Sequence, residues 1–97
     1  MSYRFHPGAK TDLHDAIAFY VRQAGRSVAA RFVDAVERAA ELVAERPEIG
    51  RQTGEGRRSV PVRGFPYSLI YRQTDSEILI LVVRHQNRSP KHGQDRK

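Results

Sequence analysis

From Pro7 onward the apolar residues first recur every third or fourth position. Ala9, Leu13, Ala16, Ile17, Tyr20 and Val21 make one face and predict a helix over Pro7–Ala24. Pro7 suits the first turn, where a proline loses no needed hydrogen bond. Asp12 and Asp15 sit early in the segment, toward the positive end of the helix dipole, and Asp12 is read as a surface residue. Gly25 marks the break, and Ser27 is the expected cap of a second helix. The stripe of that helix is Val28, Phe32, Val36, Ala39 and Val43, widened by Ala29, Ala35, Ala40 and Leu42. Pro47 ends it and Gly50 follows. Two long helices joined by so short a turn must lie antiparallel, and the alanines let them approach closely.

After Pro47 the period changes. Residues 49–56 are rich in Gly and polar side chains and read as a loop. Arg57–Val62 alternates weakly, with Val60 and Val62 on one side; Pro61 restricts this strand to an edge or a bulge. Gly64 turns the chain, and 66–73 is a strand with Tyr67, Leu69 and Tyr71 on one face. After a turn at Asp75-Ser76, residues 77–84 are almost continuously apolar, which means burial on both faces and a central strand. A short strand at 3–5 precedes the Pro7-Gly8 turn signal. The expected fold is α+β in the order β-α-α-β-β-β. An N-terminal strand is followed by an antiparallel helical hairpin packed on a small, mostly antiparallel, twisted sheet. Residues 1–97 form a single domain, and residues 89–97, basic and nearly devoid of apolar side chains, read as a flexible tail unless bound.

Charge changes this picture. Residues 1–50 hold seven Lys/Arg and seven Asp/Glu; residues 51–97 hold ten against four, which is the whole of the +6 net charge. So one-sided a field favours an anionic partner, nucleic acid or an acidic protein segment. With no cysteine, disulfides and thiolate metal sites are excluded, and four scattered histidines make no zinc signature. The first residues lack the apolar stretch of an export signal. The longest apolar run, residues 78–83, falls far short of the roughly 20 residues a membrane helix needs. A soluble cytoplasmic protein without membrane contact is expected.

Arg63-Gly64-Phe65-Pro66-Tyr67-Ser68-Leu69-Ile70-Tyr71-Arg72 resembles the central hairpin of the RelE/ParE family of type II toxin–antitoxin toxins. The apolar strand that follows, running into His85-Gln86-Asn87-Arg88-Ser89-Pro90, is similar to the strand end of ParE-like members. Tyr3-Arg4-Phe5-His6-Pro7-Gly8-Ala9 and Glu45-Arg46-Pro47-Glu48-Ile49-Gly50 match the family as well, so the resemblance spans nearly the whole chain. It implies a toxin, without cofactor or metal, that a cognate antitoxin holds inactive. It also implies one of two activities: inhibition of DNA gyrase by binding, as in the ParE-like branch, or ribosome-dependent mRNA cleavage, as in RelE. The ParE-like branch is the closer. A third alternative is an inactive member retained for complex formation.

Metal-free RNA cleavage needs a base, an acid and cations on the phosphate. In RelE-like members an arginine follows the first tyrosine of the Tyr-x-x-x-Tyr strand; here that position is Ser68. Ser59 and Pro61 stand where lysines are expected, while Arg88 matches a family arginine and His92 falls near the family's terminal tyrosine. His85, Arg88 and His92 are the catalytic candidates if the protein is a nuclease. His85 has an alternative use, hydrogen bonding to backbone at a strand end. Arg58, Arg63, Arg84, Arg88 and Lys91, with Arg57, gather beside His85 if their strands are neighbours. They are the expected contacts to target or antitoxin. Phe65, Tyr67 and Tyr71 read as core aromatics and not as base-stacking platforms.

Overall fold

Gly25 alone separates the two helices, α1 (Pro7–Ala24) and α2 (Arg26–Glu45). It ends the first by donating its N–H to the carbonyls of Tyr20 and Val21, and it begins the second by accepting from Ala29 N–H. Its φ of 92° reverses the chain in a single residue, a conformation open to glycine. The expected cap at Ser27 is therefore displaced: Gly25 is the cap residue and no side chain bonds there. At the other end of α1, His6 caps, its Nδ1 accepting from Gly8 N–H at 2.9 Å.

The computed structural model describes residues 1–89 and 91–97; Pro90, the last residue of the strand-end motif, lies outside them. Five strands follow the order β1-β5-β4-β3-β2, with β1 (Ser2–Phe5), β2 (Arg51–Gly54), β3 (Arg57–Val62), β4 (Tyr67–Gln73) and β5 (Glu77–His85). Every pairing is antiparallel except β1 with β5. Fold class and the bounds of α1 follow the expectation, while α2 starts earlier than a cap at Ser27 implies. The sheet holds one strand more, since β2 lies inside the expected loop. All four of its residues are exposed and its register shifts between Gln52 and Gly54, so no alternation of apolar residues announces it. β2 pairs only as far as Ser59, which leaves β3 with an open edge at Pro61, where a proline costs no ladder bond.

One face of the sheet packs on the helices. Phe32, Val36, Ala40 and Val43 meet Val62, Leu69, Tyr71, Ile78 and Ile80, all at 3% exposure or less. Each large side chain so buried contributes roughly 1.5–3 kcal/mol relative to exposure. Tyr71 also carries a polar duty: its hydroxyl accepts from Gly50 N–H and donates to Pro47 carbonyl, both at 2.9 Å, which pins the α2–β2 loop. A Cβ on Gly50 would lie 2.6 Å from that hydroxyl, so only glycine permits the contact. β5 buries its other face too, through Leu79, Leu81 and Val82 with Ile70 of β4. A bulge opposite Ile70/Tyr71 shifts the alternation, so Leu81 and Val82 fall on the same side.

Candidate functional site

The register sets which predicted residues share a place. Val62, Tyr67 and His85 stand in one row across β3, β4 and β5, while Arg58 lies a full strand-length away in the row of Tyr71. The strands carrying Arg58 and Arg84 are not neighbours, because β4 lies between them. The single basic patch expected of neighbouring strands is thus divided. Arg58 serves the fold, its guanidinium donating to Glu48 and Gly50 carbonyls at 3.1 and 2.8 Å. Arg63 is at the His85 end but turns toward α2, into a groove it shares with Arg38 and Arg51.

The remaining candidates meet at the end of β5. A cleft of about 640 Å³ opens between α1 and this end, lined by Asp12, Asp15, Phe19 and Arg22 on one side and Tyr67, His85, Arg88, His92 and Arg96 on the other. His85 stands edge-on to Tyr67, ring centroids 5.0 Å apart. Tyr67 itself belongs to an aromatic cluster with Tyr20, Phe32 and Phe65, so the histidine is rooted in the core. His85 Nδ1 accepts from Asn87 N–H at 3.0 Å, the backbone contact considered for it from sequence. In the neutral ring the proton then sits on Nε2. Arg88 and Lys91 are exposed, with Arg88 Nη1 3.4 Å from His92 Nδ1. Arg84 is inward, donating to His92 carbonyl at 3.0 Å; burial and then the Arg57 charge push its guanidinium below its ordinary value.

A residue read as surface proves central to this end. The Asp12 side chain is 9% exposed and accepts from Val83 N–H at 3.0 Å, from Arg96 at 2.6 and 3.2 Å, and bonds His92 Nε2 at 3.0 Å. Burial pushes its carboxyl up; the hydrogen bonds from Arg96, Val83 and His92 and the Arg96 charge outweigh this and hold it below the usual carboxylate range. The sequence held one signal of this: Asp12 is three residues after Ala9 and four before Ala16, both buried, and so lies on the inward face of α1. Its partners, 71 to 84 residues away, left none.

In chemical terms the cleft offers cations and, among the described residues, no unengaged buried base. Ser68, paired with Arg84 and Pro61 in the ladder, brings no charge where a RelE-like arginine would stand. Among the described residues no group of three His, Cys, Asp or Glu could hold a metal ion, and no helix is long and apolar enough to cross a membrane.

The chain is a helical hairpin on a five-stranded mixed sheet with a cationic strand end. It overlays "Chromosomal ParDE TA system from P. aeruginosa" with a TM-score of 0.77 at 24% identity, over 88% of this chain and 95% of that one. Residues 3–90 match the family described as ParE toxin of type II toxin-antitoxin system, parDE. The chain is also 32% identical over 90 residues to Toxin ParE2 of Mycobacterium tuberculosis, in strains CDC 1551 / Oshkosh and ATCC 25618 / H37Rv. That alignment covers 90% of this chain and 83% of each relative. The chain belongs to the ParE toxin family of type II toxin–antitoxin systems.

Proposed function

We propose that this toxin acts by binding, as an inhibitor of DNA gyrase, and that a co-encoded antitoxin neutralises it. The observation that carries a binding mode is the make-up of the β5 end. Arg88 and Lys91 are exposed cations, His92 is engaged by Asp12, His85 faces its own backbone, and Ser68 replaces the arginine that RNA cleavage would use. Such a surface attracts polyanions and carries little to move a proton. Arg84, from within, and the cations Arg88 and Lys91 are the proposed target contacts.

The antitoxin is assigned to a different place. A groove of about 1020 Å³ runs between α2 and the open edge of β3, floored by Ala35, Ala39, Leu42, Val60, Val62 and Phe65. Leu42 and Ile49 are 39% and 45% exposed there. Arg38, Arg51 and Arg63 line it and, among the described residues, no carboxylate does. An amphipathic segment with acidic flanks fits such a groove, and its association rate should fall with added salt. Arg63 is thereby an antitoxin contact, while Arg58 supports the loop beneath.

The test is induced expression with separate readouts of plasmid supercoiling and mRNA integrity. Relaxation of supercoiled DNA with intact message is expected. Early cleavage of ribosome-bound mRNA with supercoiling unchanged would replace this reading with the nuclease one. For the partner, affinity capture from the native host should recover a small acidic co-encoded protein, and its capture should weaken on Arg63→Glu.

A further inference from the structure

Residues 91–97 form only a succession of turns, with His92, Gln94 and Arg96 N–H groups bonding back to Ser89, Lys91 and Gly93 carbonyls. From sequence alone, residues 89–97 are expected to form a flexible tail; in the structure three separate elements grip residues 91–97. From α1, Asp12 takes the side chains of His92 and Arg96. From the sheet, Arg57 donates to the carbonyls of Gly93 and Arg96, and Arg84 donates to that of His92. Between these grips Gly93 sits so close to β5 that a Cβ would lie 2.4 Å from Val82 Cγ2, at a φ of +76° that disfavours other residues. Arg96 also donates to Leu81 carbonyl at 3.0 Å.

We infer that Asp12 is a positioning residue of the toxin surface: by gripping His92 and Arg96 it seats segment 91–97 on the sheet and fixes Arg88, which shares the cleft with His85. The inference rests on the reading that this end of the sheet meets the target. Three donors converge on one side chain, and only a carboxylate supplies acceptors to all of them. Asparagine has the same shape, but it would turn an NH₂ toward a donor and remove the charge that Arg96 faces. The exposed Asp15, in the same cleft, is the other carboxylate within it.

The experiment compares wild type with Asp12→Asn, Arg96→Ala and Gly93→Ala, the last of which disturbs the seat without touching any charge. Hydrogen exchange over 91–97 is expected to speed by roughly 10- to 100-fold in each variant, from the loss of a charge-assisted bond in Asp12→Asn and Arg96→Ala and from the crowded Cβ in Gly93→Ala, while β4 exchange stays as it was. Growth arrest on induction should weaken by a similar factor in all three. Release of the segment with full toxicity would overturn the inference, and so would unchanged protection in Asp12→Asn. If Asp12→Asn fails to fold, Arg96→Ala and Gly93→Ala decide between the same outcomes. Wild-type arrest without any change in supercoiling would count against gyrase as target and would leave the comparison of variants intact.

Discussion

The two halves of β5 have the same apolar character and opposite neighbours. Its first half, from Glu77 to Ile80, is flanked by a true strand, β1, paired residue for residue from Ser2 to Phe5. The strand ladder stops there, and His6 N–H makes the next bond, to Ile80 carbonyl at 2.8 Å. Beyond it the edge is completed by side chains: Val83 N–H goes to the Asp12 carboxylate and Leu81 carbonyl accepts from the Arg96 guanidinium. In a parallel ladder those two backbone groups would reach the C=O and N–H of one neighbouring residue. The Asp12–Arg96 pair stands in for that residue. A buried strand edge must find partners, and it does so here by charge where backbone runs out.

The largest way to break the comparison is to damage what both halves share. Ile80→Ala, at 0% exposure in the row of Tyr71, should cost about 2–5 kcal/mol in denaturant unfolding. A cost near zero would mean that this row does not belong to the core. Tyr71→Phe tests the opposite strand at the same row. It leaves Gly50 N–H without its acceptor and should cost about 1–3 kcal/mol, read as a lower unfolding midpoint at unchanged slope.

A smaller effect separates the halves by pH. The Asp12 carboxyl is held low in the folded protein, so its contribution is complete above the unfolded value of about 3.9 and is lost as pH falls through the folded one. The Val83 amide resonance should therefore stay fixed down to about pH 4 and move below it, while amides beside β1 keep their positions until global unfolding. Movement near pH 6.5 instead would assign the edge to an imidazole. The smallest effect belongs to the other ion pair on this sheet. Arg4 Nε lies 2.9 Å from Glu77 Oε1, but the Arg4 side chain is 55% exposed, so Arg4→Ala should cost only about 0.2–1 kcal/mol. A cost like that of Tyr71→Phe would show that exposure misjudges the pair.

What was legible in the sequence follows the same division. The bounds of α1, the central position of β5 and the edge role of Pro61 come from local rules, periodicity and proline chemistry, and the fold bears them out. Ser27 misleads because it is a good capping residue two positions past Gly25, which caps both helices. β2 was missed because an edge strand with both faces in water needs no alternation. Arg58 was grouped with Arg84 by adjacency in charge, which says nothing of the strand between them. Asp12 was the main loss: a carboxylate on an inward helical face is visible locally, but the guanidinium that makes it tolerable lies 84 residues on.

The strand order has a consequence for synthesis. β5 comes last in sequence among the described strands, yet it separates β1 from β4 and binds both. The pairing of Ser2 with Glu77 joins residues 75 positions apart, so it forms late, after the helical hairpin. A nascent chain on the ribosome thus has its helices well before it has a sheet that can hold its first residues. Chains released before Glu77 should be cut quickly by protease, and resistance in them would contradict this order. Interrupted before Glu77, the chain has its helices but lacks the strand that joins β1 to β4.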